Sequence, residues 1–280
     1  MVAGMSAVDR VRDAASPRAA TTSGASPVHR SSSERPVPVR HGTIVIVGGG
    51  CYGSYYLRQL GRARSADALT WERLIVVDRD AGCRVAREAT GGVEIVVRDW
   101  AEFFADFLGG AALDPAGAAH DAVVPSPLMP HLLFDWVAAR ARERWPARPI
   151  EVLPLDTPPN VPWQRASPDG ATHYVSFAEW MCPINCIEPD RCPATREART
   201  WTMPAALAQY VGAERARGHD MAGPFVFHCT HRAYGVGMID VTAVVDADSA
   251  IRVLGERGPA DILVGTVSHC HGAIGRLRIT

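Results

Sequence analysis

The sequence predicts an α/β fold, on three observations. A β-branched run, Ile44-Val-Ile-Val47, leads straight into three glycines. From there to about residue 153, short apolar runs alternate with stretches of helical spacing. After a proline-rich break at Pro154–Pro168 the alternation resumes around a loop dense in cysteine. Short apolar strands between helical patterns imply a buried parallel sheet with helices on both faces. The chain therefore reads as a doubly wound parallel sheet, followed by a second α/β part that carries the cysteine-rich loop.

The elements follow in order. Residues 1–40 are rich in Ala, Ser, Thr, Pro and Arg without apolar period, and read as a disordered tail. Strands are expected at Thr43–Val47, Arg73–Asp78, Val93–Val97, Asp121–Pro125 and Ile150–Leu153. Helices are expected between them at Tyr52–Arg62, Gly82–Ala89, Trp100–Leu108 and Pro130–Arg144. In the second half, strands are expected at Thr172–Trp180, Phe225–Thr230, Gly237–Val245 and Asp261–Ser268. Helices are expected at Pro204–Arg217, with proline at its start, and at Asp246–Arg257, capped by Asp246 or Asp248.

Composition narrows the function classes. With 280 residues, 47% hydrophobic content and a net charge of −1, the chain has the profile of an ordinary globular protein. No basic excess points to nucleic acid. No apolar run approaches the ~20 residues that span a bilayer, and no apolar leader opens the chain. A cytoplasmic location without membrane insertion is expected. Three of the seven cysteines cluster at Cys182, Cys186 and Cys192, which in that compartment favours metal binding or redox chemistry over structural disulfides.

The glycines of Thr43-Ile-Val-Ile-Val-Gly-Gly-Gly-Cys-Tyr-Gly53 have the spacing G-x-G-x-x-G at Gly48, Gly50 and Gly53. Between a strand and a helix this spacing predicts a dinucleotide site. One glycine makes the turn, one lets the pyrophosphate approach, and one lets helix and strand pack closely. The helix N-terminus then favours the anion. Asp78, at the end of the second strand, is placed to take the ribose hydroxyls, which favours NAD; Arg79 beside it leaves NADP open. The loop after the fourth strand brings Ser126 near the nicotinamide half and His131 within reach as a proton carrier. A Rossmann-like dinucleotide-binding domain is thus expected over 41–153, and a second α/β domain over 154–280.

The Gly48-Gly-Gly-Cys-Tyr-Gly53 run, the Val-Val-Asp78-x-Asp80 strand end and Val96-Val97-Arg98-Asp99 resemble the nucleotide-binding domain of potassium-transport regulators, the TrkA-N or RCK type. The resemblance covers about residues 43–150. It implies that Gly48, Gly50, Gly53 and Asp78 bind the dinucleotide and that Asp99 sits near the adenine. Arg98 stands where that family has glycine.

The segment Met181-Cys-Pro-Ile-Asn-Cys-Ile-Glu-Pro-Asp-Arg-Cys-Pro-Ala-Thr195 has the spacing C-x3-C-x5-C, unlike the paired C-x2-C knuckles of a zinc ribbon. Its Cys182-Pro-Ile-Asn-Cys186-Ile string resembles part of a bacterial ferredoxin, in which the two cysteines are cluster ligands. Cys182, Cys186 and Cys192 are candidate ligands of an iron–sulfur cluster, with zinc and a metal-free thiol pair as alternatives. A fourth ligand is sought in His228-Cys229-x-His231 and His269-Cys270-His271, two segments that each follow an apolar run and are expected at one sheet edge. Cys270 is the candidate from them, with His228 and His269 as candidate catalytic groups. Strand alternation would send Cys270 to the face opposite His269 and His271.

Together these readings predict an NAD(P)-binding oxidoreductase with a cysteine-ligated metal centre and a small-molecule substrate. Two alternatives stay open: a nucleotide or redox sensor of the TrkA-N type, and a metal-dependent lyase or transferase that keeps a nucleotide fold. A homo-oligomer or a separate redox partner also stays open.

Overall fold

Two mixed sheets, with helices between and outside them, organise the computed structural model, which describes residues 38–89, 91–178, 184 and 186–280. Val37–Thr280 form one compact unit. The first half runs β1 (Val39–Val47), α1 (Cys51–Ser65), β2 (Leu69–Asp78), α2 (Arg84–Glu88), β3 (Glu94–Val97), α3 (Trp100–Leu113), β4 (Ala122–Val124), α4 (Leu132–Arg144) and β5 (Ile150–Leu153). The second runs β6 (Trp163–Ala166), β7 (His173–Ser176), α5 (Met203–Ala216), β8 (Met221–His228), β9 (Thr230–Ala233), β10 (Val236–Asp240), α6 (Val241–Arg257), β11 (Ala260–Val267) and β12 (His271–Ile279). No helix among the described residues is long and apolar enough to cross a membrane.

The first sheet has the order β3-β2-β1-β4-β10-β9. Its first four strands are mutually parallel. An all-parallel sheet is corrected here, because β10 runs antiparallel to β4 and β9 antiparallel to β10. The second sheet has the order β6-β7-β12-β11-β8, with β5 also on β12. The sheets therefore exchange chain: β5, expected in the first, lies in the second, and β9 and β10 return to the first. No division at residue 153 separates them.

Period-two alternation explains the layering. Val45, Val47, Ile75, Val77 and Ile239 leave one face of the first sheet and pack with α3, α4 and α6 against Ile262, Val264 and Leu277 of the second. Ile44, Ile46, Val76 and Met238 leave the other face and meet α1 and α2. The outer face of the second sheet, through Val175, Leu263 and Ile274, carries Met203, Leu207 and Val211 of α5. Both faces of β1 are covered, which is why it reads as an unbroken apolar run.

Several boundaries move. β1 begins at Val39, because Val39–His41 pair with Leu69–Trp71 of a longer β2. The remainder of the expected tail, residues 1–37, lies outside the described residues. β12, the hub of the second sheet, was not foreseen, because glycine breaks its apolar pattern. The close approaches explain those glycines: a Cβ on Gly272 would sit 2.4 Å from the Thr266 carbonyl oxygen, and one on Gly275 2.6 Å from the Phe134 ring. The last helix starts at Val241 with Asp240 at its N-cap, so neither Asp246 nor Asp248 caps it. Asp248 instead lies buried and meets Arg144 on α4 in two hydrogen bonds, the Nη1–Oδ1 contact being 2.7 Å.

Candidate functional site

The glycine loop is built as its spacing requires. Gly48 takes φ +86°, open to glycine at little cost, and its N–H donates to the Val77 carbonyl at 2.9 Å. A Cβ on Gly53 would lie 2.0 Å from the Gly48 carbonyl oxygen, so only glycine lets α1 approach β1 this closely. Gly50 is the N-cap of α1; it makes no side-chain cap and has nothing within 4 Å where a Cβ would stand. Gly49 is held from below. Its N–H donates to Asp78 Oδ2 at 2.6 Å, its carbonyl accepts from Val85 N–H at 2.8 Å, and the Cys83 thiol fills the space beside it. Asp78 therefore braces the loop, with its other oxygen accepting from Asp80 N–H at 2.9 Å.

Asp99 caps α3, accepting from Ala101 N–H at 2.8 Å, and pairs with Arg79 at 2.6 Å. The Arg79 guanidinium also stacks on the Trp100 ring, 4.2 Å from its centroid.

A cavity of about 130 Å³ opens beside the first turns of α1. Tyr52 and Tyr56 of α1 and Pro125–Pro127 after β4 form one side. Cys186 and Glu188 close it from the cysteine loop, Cys229 and His231 from the β8–β9 junction, and Cys270 and His271 from the β11–β12 junction. Parallel pairing of β8 with β11 brings those segments to one edge, with Val267 opposite His228. The Cys229 N–H donates to the Val267 carbonyl at 2.8 Å. Gly237 makes room here, since a Cβ on it would stand 2.5 Å from the Cys229 sulfur and 3.0 Å from the His231 ring. The two-residue hairpin turn at Tyr234 and Gly235, with φ +50° and +77°, lays β9–β10 against the cysteine loop.

Of the residues singled out in the sequence, Ser126, Cys186 and Cys270 meet in this cavity. Others lie elsewhere. Cys182 is outside the described residues. Cys192 is 1% exposed and does not face the cavity. Burial alone would raise its thiol, but the N–H and hydroxyl of Thr195, the Ala194 N–H and the Arg199 charge together hold it below the ordinary thiol value. His131 leads into α4 with Nε2 3.8 Å from Asp135 Oδ2. His228 is exposed at the end of β8. His269 contributes main chain: its N–H donates to Glu188 Oε1 at 3.0 Å and its carbonyl accepts from Met203 N–H at 2.8 Å.

Strand alternation failed at His269–His271 because residues 268–270 form the β11–β12 turn, closed by Ser268 N–H to the His271 carbonyl at 2.7 Å. Cys270 and His271 consequently share the cavity and His269 does not. Cys229, His231, Glu188 and the two tyrosines are the functional candidates that spacing did not rank. Among the described residues no three His, Cys, Asp or Glu side chains are placed to hold a metal ion. The expected four-cysteine centre is therefore not assembled by Cys186, Cys192 and Cys270.

The cavity disfavours charge on most of its groups. Burial lowers the pKa of His231 and His271 below the ordinary imidazole value, against the opposing pull of Glu188. Burial, helped by the Glu188 charge, pushes the Cys229 thiol up to about 12. It raises the Tyr56 phenol likewise. Glu188 itself sits at φ +54°, an unfavourable conformation for a non-glycine residue of the kind that clusters at functional sites. Thr266 is 5% exposed, lines the cavity, and its hydroxyl has no hydrogen-bond partner.

These histidines predict an acid limb. His41, His173, His231 and His271 all carry pKa values lowered by burial from 6.5. The unfolded chain gains these protons as pH falls through about 6.5, while the folded chain resists them, so stability must decline below that pH. The midpoint of thermal unfolding should be level above about pH 7 and fall steadily toward pH 5. Replacing His231 and His271 with Asn should flatten the slope; an unchanged slope would mean that both are charged in the fold.

Among known proteins, a family model described as "Uncharacterized protein, C-terminal domain" (AF_1314_C) matches residues 133–280, just over half of the chain, which belongs to that family. The matched region carries the cysteine loop and the histidine segments but not the glycine loop. Neither the curated proteins nor the solved structures contain a detectable match.

Proposed function

We propose that the protein is a dinucleotide-dependent oxidoreductase whose cavity receives the nicotinamide end of NAD. One observation carries the reading: the glycine loop and the cavity adjoin where the strand order turns. From β1 the chain steps outward through β2 to β3, and then crosses back to β4 on the other side. Ligands of open α/β sheets bind at the carboxyl ends of the strands at such a switch point. Here that crevice lies between α1 and the loop after β4, and both line the cavity. The parallel β3-β2-β1-β4 order matches the first four strands of the order 3-2-1-4-5-6 of dinucleotide-binding sheets, and supports the reading together with the TrkA-N resemblance of residues 43–150.

The loop suits a pyrophosphate. Gly50 leaves the space before α1 open, and no side chain competes for the N–H groups of its first turn. Asp78 keeps a second lone pair on each oxygen for ribose hydroxyls while bracing Gly49. Arg79 is drawn to Asp99 and Trp100, away from a 2′-phosphate, which favours NAD over NADP. Bound there, NAD supplies hydride transfer. The chain's own part is to hold the ring beside Ser126, to exclude water with Tyr52, Tyr56 and the prolines, and to take or give a proton at neutral His231 or His271.

Calorimetric titration of the full chain tests this reading. NAD+ should bind, and NADP+ about tenfold more weakly or worse, a difference of about 1.4 kcal/mol. Turnover with a panel of small alcohols and aldehydes, read at the reduced-nicotinamide absorbance, separates the enzyme from a TrkA-N-like sensor that binds without turnover. No binding of either dinucleotide would overturn both.

A further inference from the structure

We infer that the cavity beside α1 is a site for a small planar organic cation, so that it holds the oxidised, pyridinium form of a nicotinamide ring in preference to the neutral reduced form. The inference rests on the dinucleotide reading only for the identity of the physiological ligand.

Size comes first. A cavity of about 130 Å³ is close to the ~150 Å³ that accepts one benzene ring. One ring fits. Charge comes second. Among the described residues that line the cavity, Glu188 carries the only formal negative charge, and no lysine or arginine lines it. Of the nearby guanidiniums, Arg232 pairs with Asp240, and Arg199, which does not line the cavity, donates to the main-chain carbonyl of Glu188 with its Nε and Nη2 buried and without a partner. Among its described lining residues the cavity thus presents one carboxylate and no cationic Lys or Arg side chain.

That carboxylate is also fixed. Its Oε1 accepts from the His269 N–H at 3.0 Å, on a residue whose backbone is held at φ +54°. Tyr52 and Tyr56 also line the cavity, and tyrosine rings attract cations. The unpartnered Thr266 hydroxyl, buried in the wall, offers the hydrogen bond that a ring carboxamide would complete. A neutral ring would gain the apolar contacts and that hydrogen bond; a cation also gains the Glu188 charge, set against the cost of burying its own.

The probes are 1-methylnicotinamide, which is the cationic ring alone, neutral nicotinamide, NAD+ and NADH, each titrated into the full chain and into Glu188→Gln. In the wild type, 1-methylnicotinamide should bind at least about tenfold more tightly than nicotinamide, and NAD+ at least about tenfold more tightly than NADH. Glu188→Gln should bring both ratios to within about twofold, while Thr266→Val weakens all four ligands and leaves the ratios unchanged. If NAD+ fails to bind but the ring cation binds, the oxidoreductase reading falls and this site stands. If NAD+ and NADH bind equally, the oxidoreductase reading stands and this one falls. A preference that survives in Glu188→Gln overturns it, as does stoichiometric zinc that displaces 1-methylnicotinamide. Should Glu188→Gln fail to fold, the wild-type ratios decide alone: ratios near one overturn the inference.

Discussion

Gly50→Val is expected to weaken NAD+ binding by about a hundredfold or more, equivalent to about 2.7 kcal/mol, while the chain still folds. The two halves of that result have separate causes. No protein atom lies within 4 Å of the position a Cβ would take, and φ at −76° is open to any residue. The intramolecular cost is a poorer N-cap, about 1 kcal/mol. The empty space, however, is where a pyrophosphate would meet the N–H groups of α1, and an isopropyl group fills it. Gly53→Ala is the contrasting case. Its Cβ would stand 2.0 Å from the Gly48 carbonyl oxygen, so this variant loses the fold rather than the ligand alone. Calorimetry with NAD+ and thermal unfolding of the two variants check the pair. Wild-type affinity in folded Gly50→Val would remove the loop from the binding site.

Asp248→Ala is expected to cost about 3–5 kcal/mol of stability, the usual penalty for breaking a buried ion pair on one side. The carboxylate is 2% exposed and joins α6 to α4 through a bidentate contact with Arg144. Arg140 Nε also lies 3.8 Å from it and is buried without a hydrogen bond. Truncation would therefore leave two guanidiniums facing a cavity. At about 2–4 °C per kcal/mol for a domain of this size, the unfolding midpoint should fall by roughly 6–20 °C. Arg144→Met combined with Asp248→Leu should recover most of the loss, because apolar groups of similar volume avoid the desolvation of both charges. A fall of less than about 1 kcal/mol in Asp248→Ala would show the pair to be solvent-screened.

These expectations draw on features of different legibility. The glycine loop was readable because each glycine answers a local demand: a positive φ at Gly48, a close helix at Gly53, an open approach at Gly50. The cysteine segment was noticed for its density, yet density does not reveal direction. Cys186 faces the cavity and Cys192 turns into its own loop, where main-chain N–H groups take its sulfur. Glu188 reads in sequence as one acidic residue of a polar loop. Its place in the cavity wall goes with a bond from the His269 N–H, 81 positions away along the chain.

The sequence by itself determined the β1–α1 turn, the parallel run of the first strands and the concentration of thiols and imidazoles in the second half. All three rest on short-range physics: alternation of apolar residues, backbone freedom at glycine, and residue type. Only the tertiary structure decided that β5 leaves the first sheet while β9 and β10 enter it, and that Cys270 and His271 look the same way. Strand partners and side-chain phase depend on which turns interrupt the period and on which distant surfaces close together, and neither is set by the residues on either side.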